Sequence, residues 1–301
     1  MPSPWMFGGL ASAVLIKRTI KKLAEDELST RSAALSYYFI LALFPMFLFL
    51  FSMIGIFAGP ASALREGILS VLGWMAPGSA SVLVYSVVDQ TTNSSSGIKV
   101  GAGILGALWA ASAGLSAVID SLNVVHRIDE TRPWWEQKLT ALGLTLALAA
   151  LIIVALVLVL YGEKIGQLIA SQFGLDDAFH FMWGIVRWVV PLAAMFISFS
   201  AVYYFAPNLP GEWHWITPGA TLGVVLWLGA SLGLRAYLHF FDSYSATYGS
   251  LGAVVILLLW LYMTGFAILI GAELNWVIDQ EDKTISEPTV IPKVQPQMEA
   301  A

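Results

Sequence analysis

No cysteine occurs anywhere in the chain, which excludes disulfide frameworks, thiolate metal sites and cysteine nucleophiles and says nothing about redox compartment. Charge is also scarce. Asp, Glu, Lys and Arg make up 12% of the 301 residues, against roughly 25% in an average soluble domain, and so few charges cannot cover the water-facing surface of a chain this long. The histidines, His126, His180, His214 and His239, stand nowhere at the spacing of a zinc or two-metal hydrolase. No glycine loop leads into a lysine to cradle phosphate, and no local Ser, His and Asp arrangement supports a hydrolase. A formal net charge of −5 argues against nucleic acid as a partner, because phosphate recognition leaves a basic surface. No cofactor and no resident metal are expected, and the residues do not support an enzyme.

What is present is apolar length. Six runs lack Asp, Glu, Lys and Arg: Ser32 to Leu64, Val100 to Ile119, Leu139 to Gly162, Trp188 to Gly211, Trp213 to Leu234 and Ser243 to Ala272. Each reaches the ~20 residues that a helix needs to cross ~30 Å of hydrocarbon. A closed barrel would need strands of about ten residues with alternating polarity, and "LTLALAALIIVALVLVL" has no such alternation. The expected fold class is an all-α integral membrane protein with six transmembrane helices. Basic residues orient it. Lys17, Arg18, Lys21, Lys22 and Arg31 precede the first span, and Arg127, Arg132 and Lys138 follow the second, while the alternate loops carry fewer. Both termini are therefore expected in the cytoplasm.

Three regions follow: residues 1–30 as an amphipathic helix, 31–279 as the transmembrane domain and 280–301 as a polar, proline-bearing, disordered tail. In the first region Ala13, Ile16, Ile20 and Leu23 share one helical face beside the four basic residues. Two placements stay open, on an anionic inner leaflet among membrane lipids or packed on the bundle. The first external loop, between Pro60 and Gly97, holds two apolar segments split by "APGS", expected as short helices at the outer interface. "GAGILGALWAASAGL" and "GATLGVVLWLGASLGL" share small residues and a Trp, as the middle helices of two inverted halves would, or as close helix packing alone would.

Polar residues collect at one depth in the inner leaflet: Tyr37 and Tyr38 on span one, Asp120 and Asn123 on span two, Tyr203 and Tyr204 on span four, Glu273 and Asn275 on span six. Carboxylates in a membrane are costly and face a partner or a wet cavity. A cytoplasm-facing vestibule that binds a cation, a proton or a polar headgroup is one reading. The other is that Glu273 pairs with Arg31 or Arg127 and locks helix ends. Pro45 and Pro191, inside spans, are expected to kink them and widen the bundle. Arg187, Arg235, His239 and Asp242 gather on the outer side, as an anion or headgroup site or as interfacial salt bridges.

Four stretches, "RSAALSYYFILALFPMFLFL", "SLNVVHRIDETRPWW", "WITPGATLGVVLW" and "YSATYGSLGAVVILLLWLYMTGFAILIGAELN", resemble the YihY/BrkB family of bacterial inner-membrane proteins, from about residue 31 to 279. By motif, Tyr38, Pro45, Asn123, Arg132, Pro218, Tyr248, Gly249, Gly252, Trp260, Gly271, Glu273 and Asn275 occupy that family's characteristic positions. The resemblance implies a multi-pass protein of the cell inner membrane with both ends inside. It brings associations with virulence, proposals of transport of lipid-like or small polar solutes, and an older ribonuclease BN label that no nuclease constellation here supports. The expected function is transport of a lipid or small polar solute, with a non-transporting envelope-assembly factor as the alternative. A reporter active only in the cytoplasm should be active when fused to either end of the chain; inactivity at one end would overturn the even number of spans.

Overall fold

The computed structural model describes residues 12–58, 97–173, 176–209, 216–240 and 243–286. Among these, every regular element is a helix: α1 Ser12–Glu25, α2 Leu28–Ala58, α3 Gly97–Val125, α4 Trp134–Phe173, α5 Asp176–Phe205, α6 Pro218–Phe240 and α7 Ser243–Ser286. The short helices expected in the first external loop lie outside the described residues. The last helix continues to Ser286, so residues 280–286, expected in the tail, are helical; residues 287–301 lie outside the description.

Five helices among the described residues are long and apolar enough to cross a membrane, within 101–125, 134–159, 182–205, 218–238 and 254–281. Their outward faces are apolar. Leu105, Leu146, Val154, Met182, Trp188, Val225 and Val255 all stand exposed, an arrangement that water would penalise and acyl chains accept. α2 runs 31 residues without a break through Pro45, and α5 runs through Pro191.

The helices converge at the end of the bundle that carries α1, and there the core is densest. Leu28, Leu35, Ile119, Leu122, Val125, Ala141, Val202, Ala206, Leu269 and Ala272 form one buried cluster, so α2, α3, α4, α5 and α7 all meet at that level. α2 lies along α3 and α7, α6 along α7, and α4 along α5. α1 packs on the end of α7 through Leu15, against Val277 and Ile278, with Thr19 buried beside it. Leu15 and Thr19, four residues apart, turn inward, and Leu23 packs against the main core cluster, while Ile16 and Ile20 remain 58% and 59% exposed, free to meet a lipid leaflet. The helix has two apolar stripes, and the bundle takes the one with the weaker sequence signal.

α6 begins as its sequence dictates. Thr217 caps it, accepting the Ala220 N–H at 3.0 Å, and Pro218 takes the first helical position, where its missing N–H costs nothing. α6 then crosses α7 at Gly219 and Gly271. A Cβ at Gly219 would collide with the Gly271 carbonyl, and one at Gly271 with the Tyr203 hydroxyl and the Gly219 carbonyl. The backbones touch, which only glycine permits. Gly143 faces open space and serves as a control. Gly271→Val should lower stability by about 1–3 kcal/mol through overpacking, read as a fall in melting temperature in detergent, while Gly143→Ala should leave it unchanged or slightly raised.

Candidate functional site

Glu273 is completely buried, and neither carboxylate oxygen has a hydrogen-bond partner. Its helix places it in the packed end of the bundle, below a roof built by α1 and the start of the α3–α4 loop. The charges that reach it are Asp26, Arg127, Lys22 and Glu25, two acids and two bases. These bases are already engaged: Arg127 approaches Asp26 at 3.4 Å and Glu25 at 3.6 Å, and Lys22 meets Glu25 at 2.6 Å. That contact holds the Glu25 carboxyl below its ordinary range. Both also flank Trp276, one turn beyond Glu273, with Lys22 Nζ 5.4 Å and Arg127 Cζ 4.7 Å from the ring centre. The roof is neutral in itself and leaves no net counter-charge for Glu273. The expected pairing of Glu273 with Arg31 or Arg127 is absent, since Arg31 Nε donates instead to the Asp26 carbonyl at 3.2 Å.

The hydrogen bonds that end α3 fix Arg127 in the roof. α3 ends with the Arg127 N–H bonded to the Val124 carbonyl at 2.9 Å and the Ile128 N–H to the Asn123 carbonyl at 3.0 Å, the paired bonds of a helix stop that normally carries glycine. Arg127 adopts φ 56° there, at a cost of about 1–2 kcal/mol for an L-residue.

Asn123 and Asn275 do different work from that expected. Asn123 is buried; its Nδ2 donates to Glu130 at 2.7 Å and its Oδ1 accepts the Asn208 N–H at 2.9 Å. Glu130 in turn accepts two bonds from the Arg132 guanidinium, at 2.8 and 2.7 Å, and one from its backbone N–H at 3.0 Å; Arg132 Nη2 also donates to the Ala206 carbonyl at 3.0 Å, just past the last residue of α5. These three side chains tie the α3–α4 loop to the end of α5. Asn275 reaches the start of α6, accepting the Gly219 N–H at 2.8 Å and donating to Thr217 Oγ1 at 3.0 Å. Tyr203 donates its hydroxyl to the Ile268 carbonyl at 2.8 Å. Tyr204 stacks edge-on to Phe205 at 4.7 Å.

The remaining polar residues open elsewhere. Tyr37 and Tyr38 are exposed and edge-to-face at 5.6 Å. Tyr38 and Asp120 line a lateral cavity of ≈ 390 Å³ between α2, α3 and α4, with Trp109, Trp134, Gln137, Lys138 and a floor of Ala113, Ser116 and Ala117. Asp120 accepts a bond from Gln137 Nε2 at 2.6 Å. The expected single vestibule is thus two separate places, this groove and the sealed carboxyl of Glu273, which does not line it. On the other side of the bundle, Arg187 lies 6.0 Å from the Trp188 ring and Arg235 is exposed. Asp242 and the His239 side chain lie outside the described residues, as therefore does the expected outer cluster. Among the described residues no group of three or more His, Asp or Glu could hold a metal ion.

Glu130, Asn208 and Thr217 are partners to which sequence reasoning gave no role, and Arg132 had only a motif position and a share of the charge bias. The pattern "IDETRP" carries the local signal of the Glu130–Arg132 pair, an acid two residues before an arginine, and Thr217 before Pro218 that of a helix start. Arg132 lowers the Glu130 carboxyl below its ordinary range, and Glu130 raises the Arg132 guanidinium. A depressed carboxyl contributes stability above its unfolded pKa and loses it as pH falls through the folded value. Wild type should therefore lose stability on acidification below roughly pH 4, with that component missing in Glu130→Gln. Arg132→Gln should cost about 2 kcal/mol, read in the same melting measurement at neutral pH.

Comparison with known proteins agrees with this framework. The family model described as Virulence factor BrkB matches residues 19–292. A ribonuclease-like protein of Bacillus subtilis, YfkH, is 35% identical over 272 residues, 90% of this chain and 98% of its own length. A UPF0761 membrane protein of Stenotrophomonas maltophilia is 27% identical over 265 residues, 84% of this chain and 58% of the relative; one of Vibrio campbellii is 25% identical over 275 residues, 90% and 84% respectively. No solved structure matches. With the family match running through every described helix from the last turns of α1 onward, this multi-pass membrane protein belongs to the BrkB family.

Proposed function

We propose that the protein is a six-span transporter of the bacterial inner membrane, with both termini cytoplasmic, and that it moves a lipid or small polar solute. α2 supplies the sixth span: 31 residues at 1.5 Å rise make about 46 Å, and the helix packs between α3 and α7. The α1 end is then the cytoplasmic end, because it carries Lys22, Arg127 and Arg132.

The observation that carries the reading is the sealed, partnerless carboxyl of Glu273. A buried carboxylate without donors costs several kcal/mol, so this group demands a proton, a cation or an opened roof. The roof is weak by comparison. Arg127 is 44% exposed and Glu25 38%, and ion pairs so open to water add little to stability. Loss or gain of charge at Glu273 therefore outweighs the contacts that cover it, which is what a coupling carboxyl in alternating access requires. In this scheme Lys22 and Arg127 hold the cytoplasmic side closed while the acid is uncharged and yield to it when it ionises.

A second reading has its own observation. Asn123, Asn275, Arg132 and Tyr203 all fasten helices, as in a non-transporting envelope-assembly factor, and Glu273 would be one more packed side chain. Among the described residues no metal-binding group supports nuclease activity. Reconstituted vesicles separate the two. Glu273→Gln should abolish movement of labelled phospholipid or polar solute across the bilayer while leaving the melting temperature nearly unchanged. Arg127→Gly, which relieves the left-handed backbone and removes the roof's guanidinium, should raise carbodiimide labelling of Glu273. Normal movement in Glu273→Gln overturns the coupling role; a large stability loss with no transport in wild type supports the assembly factor.

A further inference from the structure

The lateral groove between α2, α3 and α4 contains two charges that do not neutralise one another. Lys138 is half-buried. Its ammonium lies 4.7 Å from the Trp109 ring centre and 3.4 Å from the Trp109 carbonyl, and among the described residues it has no carboxylate partner. An ammonium carries three donors, and one long carbonyl contact leaves donors available to a ligand. Asp120, on the facing helix, uses one oxygen for Gln137; no described residue bonds the other. A cation and an anion therefore line the same ≈ 390 Å³ space with coordination left over on each.

The walls decide what fits between them. Trp109 and Trp134 lie 6.0 Å apart and, with Tyr38, stand exposed at the groove's edge, continued by exposed Leu41, Leu105 and Leu139. A free polar solute has no use for that apron. An amphipath does: its chains lie on the outward leucines and its headgroup turns into the bundle. The floor of Ala113, Ser116 and Ala117 leaves room beneath the headgroup.

We propose that this groove binds a phospholipid whose headgroup carries both a phosphodiester and a primary ammonium, with Lys138 on the phosphodiester and Asp120 on the ammonium. Both contacts are charge-assisted and point in opposite directions along the headgroup, so a phosphodiester without an amine satisfies only Lys138, and a quaternary amine offers Asp120 no N–H. The aromatic pair holds the glycerol region at the interface depth such rings favour. The proposal names the substrate class for the transporter reading and rests on that reading only for its physiological use; the binding itself does not need transport.

Native mass spectrometry of the full chain in detergent, titrated with lipids of one acyl composition, tests it. Wild type should retain phosphatidylethanolamine about tenfold more than phosphatidylglycerol or phosphatidylcholine, the difference expected of one charge-assisted bond. Asp120→Asn should erase that preference while keeping phosphatidylglycerol, Lys138→Gln should weaken both, and Glu273→Gln should change neither. Soluble glycerophosphoethanolamine should not compete at equal concentration. Equal retention of the three lipids by wild type, which requires no variant to fold, overturns the proposal, as do wild-type lipid profiles in both groove variants or full competition by the soluble headgroup. Retained selectivity with unaltered lipid movement in Glu273→Gln would leave the groove standing and remove the coupling role alone.

Discussion

Hydrocarbon cannot hydrogen-bond, and the polar chemistry of this bundle is organised around that single deficiency. A helix interior satisfies its own backbone, but each helix end leaves N–H or C=O groups unpaired, and in a membrane protein those ends must find protein partners wherever water does not reach. The packed end of the bundle meets this demand with side chains borrowed from elsewhere in the chain. Thr217 and Asn275 take the first N–H groups of α6, Arg132 takes a carbonyl beyond α5, and Asn123 takes the Asn208 N–H that follows it. The polar belt is first of all a set of closures.

Against that background Glu273 is the exception that carries information. Among the described residues only Glu273 and the neighbouring Trp276 indole N–H are buried polar side-chain groups without a hydrogen-bond partner, and Glu273 is the only ionisable one that is fully buried. Two acids and two bases stand above it and cancel. Arg127 is within electrostatic reach of it yet stacks on Trp276, its backbone in the left-handed region. Its neighbours are arranged to leave the acid alone, and that isolation is what makes its charge state consequential.

Much of this architecture was legible in the residues. Uncharged runs mark the apolar helices, the Thr217–Pro218 pair marks the start of α6, and the depth of Glu273 follows from its place near the end of the last run. Other features were not legible, for reasons of geometry. α1 carries two apolar stripes, and periodicity cannot say that Leu15 and Thr19 rather than Ile16 and Ile20 meet α7. Asn275 reads as a polar group in a cavity until the start of α6 is known to lie against it. The separation of Asp120 from Glu273 depends on which way α3 and α7 are rotated, and the groove is assembled by residues 109 to 138 folding back across a loop. Sequence supplies depth along each helix; azimuth around it comes from packing.

The glycine contact between α6 and α7 limits how the molecule can rearrange. Where two backbones rest on one another with no side chain between them, rotating or sliding either helix drives carbonyl into carbonyl, and Asn275 pins the same spot from the side. The two helices are thereby held as one pair. Glu273 belongs to it, so under the proposed scheme any opening toward the acid falls to what lies over it, α1 and the Asp26–Glu27 corner, rather than to α6 sliding on α7.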